Sequence, residues 1–245
     1  MERLDIVLLT CNRCELSRQT IQGIIDRTRT PWNLIVIDNA SSDGTQEMLI
    51  DFKRMDIIKE LILLDPENTV NIATAYNMGL EFVESEFFYT MQDDIIVPDL
   101  EPDWMQQLIT LLEKYPEYGG VGCRIQRIPN IDWKQDKEVV DARKSLSAYA
   151  RIQRKSDVIR MGGFGNRDWD DLAFVGQMAK IEKKCGWAKN LWCNHLGYMV
   201  DNRGYALGYK RMWGWNNRKS DNKLKPYPRI DERTNMPLPG EKVYR

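Results

Sequence analysis

The chain has 245 residues, 42% of them hydrophobic and 29% charged, with a net charge of −1. That suffices for one domain with a sizeable core, or for one domain and a small appendage, and no apolar run approaches the roughly 18 residues of a membrane-spanning helix. A single histidine, His195, excludes any site built from several imidazoles, and five cysteines are too few and odd in number for a disulfide framework.

Residues 5–9 form a short apolar run, as expected of a buried parallel strand. Residues 15–27 follow with Ile21, Ile24 and Ile25 at helical spacing, and 34–37 read as a second strand ended by Asp38-Asn39. Ser41-Ser42-Asp43-Gly44 is turn chemistry, with Ser or Asp available to cap a helix whose face carries Met48, Leu49 and Phe52. Residues 61–64 make a third strand, and 72–83 a helix with Ala73, Tyr76 and Leu80 in register. A fourth strand, 87–91, runs into Gln92-Asp93-Asp94, and Trp104, Leu108, Leu111, Leu112 and Tyr115 mark an amphipathic helix before Pro116. After about residue 125 the alternation breaks. Residues 128–145 are polar and charged and read as a mobile or substrate-facing segment. Residues 161–165 are a sharp turn, and Trp169-Asp170-Asp171 opens a helix expected to run to Cys185-Gly186.

Repeated strand–helix units predict an α/β fold with a mostly parallel sheet flanked by helices. Ligands bind beyond the carboxyl ends of such strands. Those ends are Thr10-Cys11-Asn12-Arg13, Asp38-Asn39, Asp65 and Asp93-Asp94, so three of four carry acids. Carboxylates gathered at one rim repel one another, and a divalent cation or the donors of a ribose and base would relieve that repulsion. The pattern points to a nucleotide–metal site. Charge is also divided along the chain. Residues 201–245 hold 11 Lys+Arg against 5 Asp+Glu, a net of +6, which leaves 24 against 31, a net of −7, for residues 1–200. The same stretch carries Tyr205, Tyr209, Trp213, Trp215, Tyr227 and Tyr244, a mixture that can grip a polyanion, a nucleotide diphosphate or a sugar, or else simply pack on the domain.

Several segments, in order, resemble the family 2 glycosyltransferases, which have the GT-A (Rossmann-like) fold. Leu8-Leu9-Thr10-Cys11-Asn12-Arg13 is similar to the family's opening strand and T-x-N-R loop. Val36 to Thr45 is similar to its V-D-x-x-S-x-D-G-T segment, and 71–80 to the helix that closes over the base. Gln92-Asp93-Asp94 stands in place of its D-x-D motif, with Gln92 at the first acid. Gly162-Gly163-Phe164 with Asp170-Asp171 is similar to G-G-F followed by the E-D pair, and His195 follows at the usual distance. The resemblance implies a GT-A domain over 1–200 (nucleotide-binding half 1–125, acceptor and catalytic half 126–200) and a C-terminal basic aromatic extension over 201–245. It implies metal-dependent transfer of a sugar from a nucleoside diphosphate sugar, with a UDP-sugar favoured, to an acceptor hydroxyl with inversion. Asp94 and His195 would ligate Mn²⁺ or Mg²⁺ together with diphosphate oxygens. Asp38 and Asp93 would contact the base or ribose, Thr10, Asn12 and Arg13 would lie near base and phosphates, and Asn77 would sit in the helix over the base. Asp171 would be the general base, with Asp170 orienting the acceptor or sharing that role. Asp43 reads mainly as a cap.

Other readings stay open. Cys11-x-x-Cys14 with Cys185, Cys193 and His195 is the material of a zinc or redox site, at irregular spacing. A nucleotidyltransferase would carry glycines in the first loop, which Thr10-Cys11-Asn12-Arg13 lacks. A non-catalytic nucleotide-sugar-binding module would not need Asp94, Asp171 and His195 together. The acceptor is expected to be a saccharide, a lipid-linked sugar or a protein, with a nucleic acid such as a modified DNA base as the alternative that the basic aromatic tail supports. A cytoplasmic location is expected, with peripheral attachment where a lipid acceptor is used.

Overall fold

The computed structural model describes residues 3–125, 136–165, 170–196 and 231–236. Three strand–helix units open the chain, β1 (Leu4–Thr10) and α1 (Cys14–Arg27), β2 (Trp32–Asp38) and α2 (Thr45–Arg54), β3 (Glu60–Leu63) and α3 (Ile72–Leu80), and then comes β4 (Phe87–Gln92). A two-residue strand β5 (Ile95–Ile96), α4 (Trp104–Lys114) and β6 (Tyr118–Arg124) follow. The remainder comprises β7 (Val139–Asp141), β8 (Arg151–Arg154), α5 (Lys155–Arg160), α6 (Asp170–Lys180), β9 (Lys184–Trp192) and β10 (Asn194–His195).

Eight strands form one sheet in the order β3-β2-β1-β4-β8-β6-β9-β7. The first four are parallel, and β8 lies antiparallel between β4 and β6. Side chains alternate across each strand, so the sheet has two cores. Ile6, Leu8, Leu34 and Val36 face α1, α2 and α4 through Ile24, Leu49 and Trp104. Val7, Ile35 and Ile37 face α3 and α6 through Ala73, Tyr76 and Phe174. Burial on both faces explains why these strands read as continuous apolar runs.

The chain leaves β1 toward one face and reaches β4 from the other. A crevice therefore opens between the β1 and β4 ends, the place where doubly wound sheets bind ligands. Register fixes its depth: Thr10 pairs with Asp38, and Leu9 with Gln92.

Two expectations need correction. The last helix does not run to Cys185-Gly186. It stops at Lys180, Glu182 takes a left-handed φ of 61°, and Cys185 and Gly186 lie in β9 beside β6. Gly186 is there for close approach, since a Cβ would stand 2.3 Å from Val139 Cγ1. Of the polar stretch 128–145, residues 128–135 lie outside the described residues, and Val139–Asp141 is an edge strand with both valines buried.

Candidate active site

The loop after β1 is built on buried carboxylates. Asp38, fully buried at the end of β2, accepts from Thr10 Oγ1 at 2.8 Å, Ser41 N at 2.8 Å, Ser41 Oγ at 2.6 Å and Gln46 Nε2 at 2.9 Å. Four protein donors thus meet the residue expected to contact the base or ribose, and they tie the β1 and β2 ends together. Asn12 adds a second tie. It takes a left-handed φ of 51°, its N–H donates to Ser41 Oγ at 2.7 Å, and its Oδ1 accepts from Ser42 N at 2.8 Å. Asp43 accepts from Cys14 N, at the start of α1, and from Thr45 N and Oγ1, at the start of α2. Burial opposes ionisation of Asp43, but these hydrogen bonds outweigh it and hold the carboxyl below its ordinary value.

Across the crevice, Asp93 and Asp94 leave β4 in a turn and share one guanidinium. Arg13 Nη1 donates to Asp93 Oδ1 at 3.1 Å and to Asp94 Oδ2 at 2.5 Å. Asp93 Oδ2 also accepts from Cys11 N and Ser17 Oγ. Burial pushes the Asp93 carboxyl up to about 7, with Arg13 opposing and the charge of Asp94 adding to the rise. Among the described residues, the two carboxylates share this one guanidinium. Arg13, expected near base and phosphates, is therefore the counter-ion of the acidic pair.

His195 reaches this cluster by strand pairing. In the small β5–β10 ladder His195 stands opposite Ile95 and Asn194 opposite Ile96, and Leu196 N donates to Asp94 O at 2.7 Å. The imidazole Nε2 lies 3.6 Å from Asp94 Oδ1, and that buried oxygen accepts no hydrogen bond from the described residues. Two neighbouring ligands of an octahedral cation stand about 3 Å apart, given metal–oxygen distances of about 2.1 Å. A carboxylate oxygen and an imidazole nitrogen in near-contact thus fit two positions around one divalent cation. Burial lowers the proton affinity of His195 more than Asp94 raises it, and a neutral imidazole is the ligand form. Among the described residues no group of three or more His, Cys, Asp and Glu side chains could hold a metal, so most of the shell would have to come from substrate and water. Tyr149 packs edge-on against the His195 ring, with centroids 4.9 Å apart.

The G-G-F loop precedes α6. Gly162 and Gly163 take φ values of 86° and 80°, which favour glycine. Asn77 of α3 clamps the loop: its Nδ2 donates to Phe164 O at 2.9 Å and its Oδ1 accepts from Phe164 N at 2.8 Å. The amide expected over the base is thus committed to loop backbone. Asp170 and Asp171 are the first two residues of α6, and their side chains lie outside the described residues.

All five cysteines are free thiols. Cys123 and Cys193 are buried, and burial, then the charges of Asp38 and Asp93, push the Cys11 thiol up to about 11. That thiol is a poor nucleophile and metal ligand at neutral pH.

The fold thus brings an acidic pair and one histidine together at the β1/β4 crevice of a Rossmann-like sheet. The glycosyl transferase family 2 model matches residues 5–169, and the chain belongs to that family. It is 26% identical over 121 residues to a poly-beta-1,6-N-acetyl-D-glucosamine synthase of Staphylococcus epidermidis, covering 49% of this chain and 28% of that protein. It is 23% identical over 125 residues to an uncharacterized glycosyltransferase of Haemophilus influenzae, covering 51% of this chain and 37% of that protein. A mannosyltransferase from Pyrobaculum calidifontis, solved in complex with GDP-Man and Mn²⁺, shares the fold with a TM-score of 0.65 at 19% identity, covering 83% of this chain and 58% of that one. The match spans less than two thirds of the length of each. Among the described residues no helix is long and apolar enough to cross a membrane.

Proposed function

We propose that this chain transfers a sugar from a nucleoside diphosphate sugar to an acceptor hydroxyl, with inversion at the anomeric carbon. The observation that carries this reading is the approach of His195 Nε2 to Asp94 Oδ1 at the β1/β4 crevice. When bound there, a divalent cation, Mn²⁺ or Mg²⁺, would neutralise the charge gathering on the leaving diphosphate. Asp94 and His195 hold it, and Arg13 keeps the Asp93–Asp94 turn in place. Thr10, Asn12 and Asp38 shape the loops that receive the nucleotide, and Asp93 faces the ribose. Asn77 fixes the G-G-F loop. Asp171, at the start of α6, takes the proton from the acceptor hydroxyl as it attacks, and Asp170 orients the acceptor. The solved relative with GDP-Man and Mn²⁺ supports the class of donor and cation.

The acceptor is a saccharide, lipid-linked sugar or protein in this reading, and the net +6 of residues 201–245 favours a nucleic acid as the second. A gel shift of DNA that weakens steeply with salt would support the second reading.

The donor is tested by a thermal-shift panel of UDP-, GDP- and dTDP-sugars with and without Mn²⁺. One nucleotide class should raise the melting temperature only when Mn²⁺ is present, because selective binding stabilises the folded state. No Mn²⁺-dependent shift with any donor would reject the proposal.

A further inference from the structure

The β5–β10 ladder that brings His195 to Asp94 is only two residue pairs long. Two pairs supply little cohesion of their own, since isolated two-stranded ribbons are marginal in water. At one end the ladder is closed by Leu196 N donating to Asp94 O. At the other end stands Ile96, and beyond it the closing group comes from far along the chain.

Residues 231–236 form a turn packed against this end. Asp231 organises the turn through its Oδ1, which accepts from Arg233 N, Thr234 N and Thr234 Oγ1. Asp231 N donates to Met236 O, and Asn235 N donates to Asp231 O. Asn235 is 1% exposed and takes a φ of 57°, a conformation asparagine tolerates better than most residues. Its Nδ2 donates to Ile96 O at 3.1 Å and to Trp192 O at 3.4 Å. Asp99 N donates to Arg233 O at 2.7 Å. One amide group thus bridges β5, two residues after Asp94, to the end of β9, three residues before His195. A side-chain amide has two N–H donors for two such carbonyls.

We propose that Asn235 is a positioning residue: by tying β5 to the end of β9, it sets where His195 stands beside Asp94. It acts through the backbone carbonyls of Ile96 and Trp192. The inference rests on the proposed function for what the pair holds, but the geometry it fixes exists without a ligand. Outer groups that orient a ligand alter metal affinity by roughly 10–100-fold when removed.

His195 carries the only imidazole in the chain, so in untagged protein its ring signals report this one site by NMR. The test compares wild type with Asn235→Gly, which keeps the left-handed backbone free of strain. Asn235→Asp, which keeps the shape and removes both donors, is read in the same way. Mn²⁺ is titrated in the presence of UDP or GDP, and paramagnetic broadening of the ring signals is followed. The variants should show displaced ring signals before any Mn²⁺ is added, and half-broadening at roughly tenfold higher Mn²⁺ or more. Unmoved ring signals, with broadening at the wild-type concentration, would overturn the proposal and leave the metal reading standing. If wild type itself shows no broadening with either nucleotide, the metal reading fails. The ring positions in the metal-free variants then decide the role of Asn235 alone, displaced signals supporting it and unmoved ones overturning it.

Discussion

Arg13 sits between Asp93 and Asp94 with all three side chains largely buried. Removing one member of a buried ion pair strands the others, at about 3 kcal/mol or more. Arg13→Met should therefore melt about 6–12 °C lower in the absence of divalent cation. Mn²⁺ should recover more of that loss in the variant than it adds to wild type, because the stranded carboxylates attract a cation more strongly. An equal Mn²⁺ increment in both proteins would show that the cation does not meet this cluster. Asp171→Asn addresses the other half of the chemistry. Donor binding should persist while transfer falls about 10²–10⁴-fold, as read by parallel binding and turnover assays, and near-normal transfer would remove Asp171 from the base role. Much of this cluster was legible in the sequence, because acids at strand ends and a single histidine leave few arrangements. The Arg13 bridge was not legible. It spans 80 and 81 positions between loops that only the β1–β4 pairing brings together.

Among the elements, β1 is anchored at its foot by Asp5. This buried carboxylate accepts from Asn33 Nδ2 on β2 and from Glu84 N, Ser85 N and Ser85 Oγ before β4. Burial alone would raise its pKa, but the hydrogen bonds from Ser85, Asn33 and Glu84 outweigh it and lower the value. A lowered folded-state pKa contributes stability that is fully present above the unfolded value, about 3.9, and is lost as pH falls through the folded value. Asp5→Asn should cost about 2 kcal/mol at neutral pH, or about 4–8 °C in melting temperature. The gap to wild type should narrow as pH falls below about 4, and a gap that stays constant into acid would contradict this account. The apolar strands β1, β2 and β4 were readable for the same burial that defines them. β6 was not, because Tyr118-Gly119-Gly120-Val121-Gly122 looks like turn sequence. Its glycines answer to packing instead: a Cβ at Gly119 would lie 2.5 Å from Met178 Sδ, and one at Gly120 2.7 Å from Phe174 Cε1, both on α6. β8 was hidden by Arg151, which is fully buried with its guanidinium 3.8 Å from the Phe174 ring centroid. No alternation rule places an arginine in a core.

For the whole molecule, the near-neutral total is an acidic body of net −7 joined to a basic stretch of net +6. Part of that stretch, residues 231–236, packs against β5 and the end of β9, close in sequence to Asp94 and His195. Nothing in the sequence around Asn235 marks that contact, since one asparagine in a polar turn has no period and no motif. The central claim is that Asp94 and His195 together hold the cation that supports sugar transfer. Its most direct test is nucleoside diphosphate release from the preferred donor, followed against Mn²⁺ concentration after chelation, in wild type, Asp94→Asn and His195→Ala. Wild type should be inactive without divalent cation and recover with Mn²⁺, and each variant should lose about 100-fold or more at the same Mn²⁺. Turnover in chelator equal to that in Mn²⁺, or a His195→Ala enzyme with the wild-type Mn²⁺ response, would contradict it.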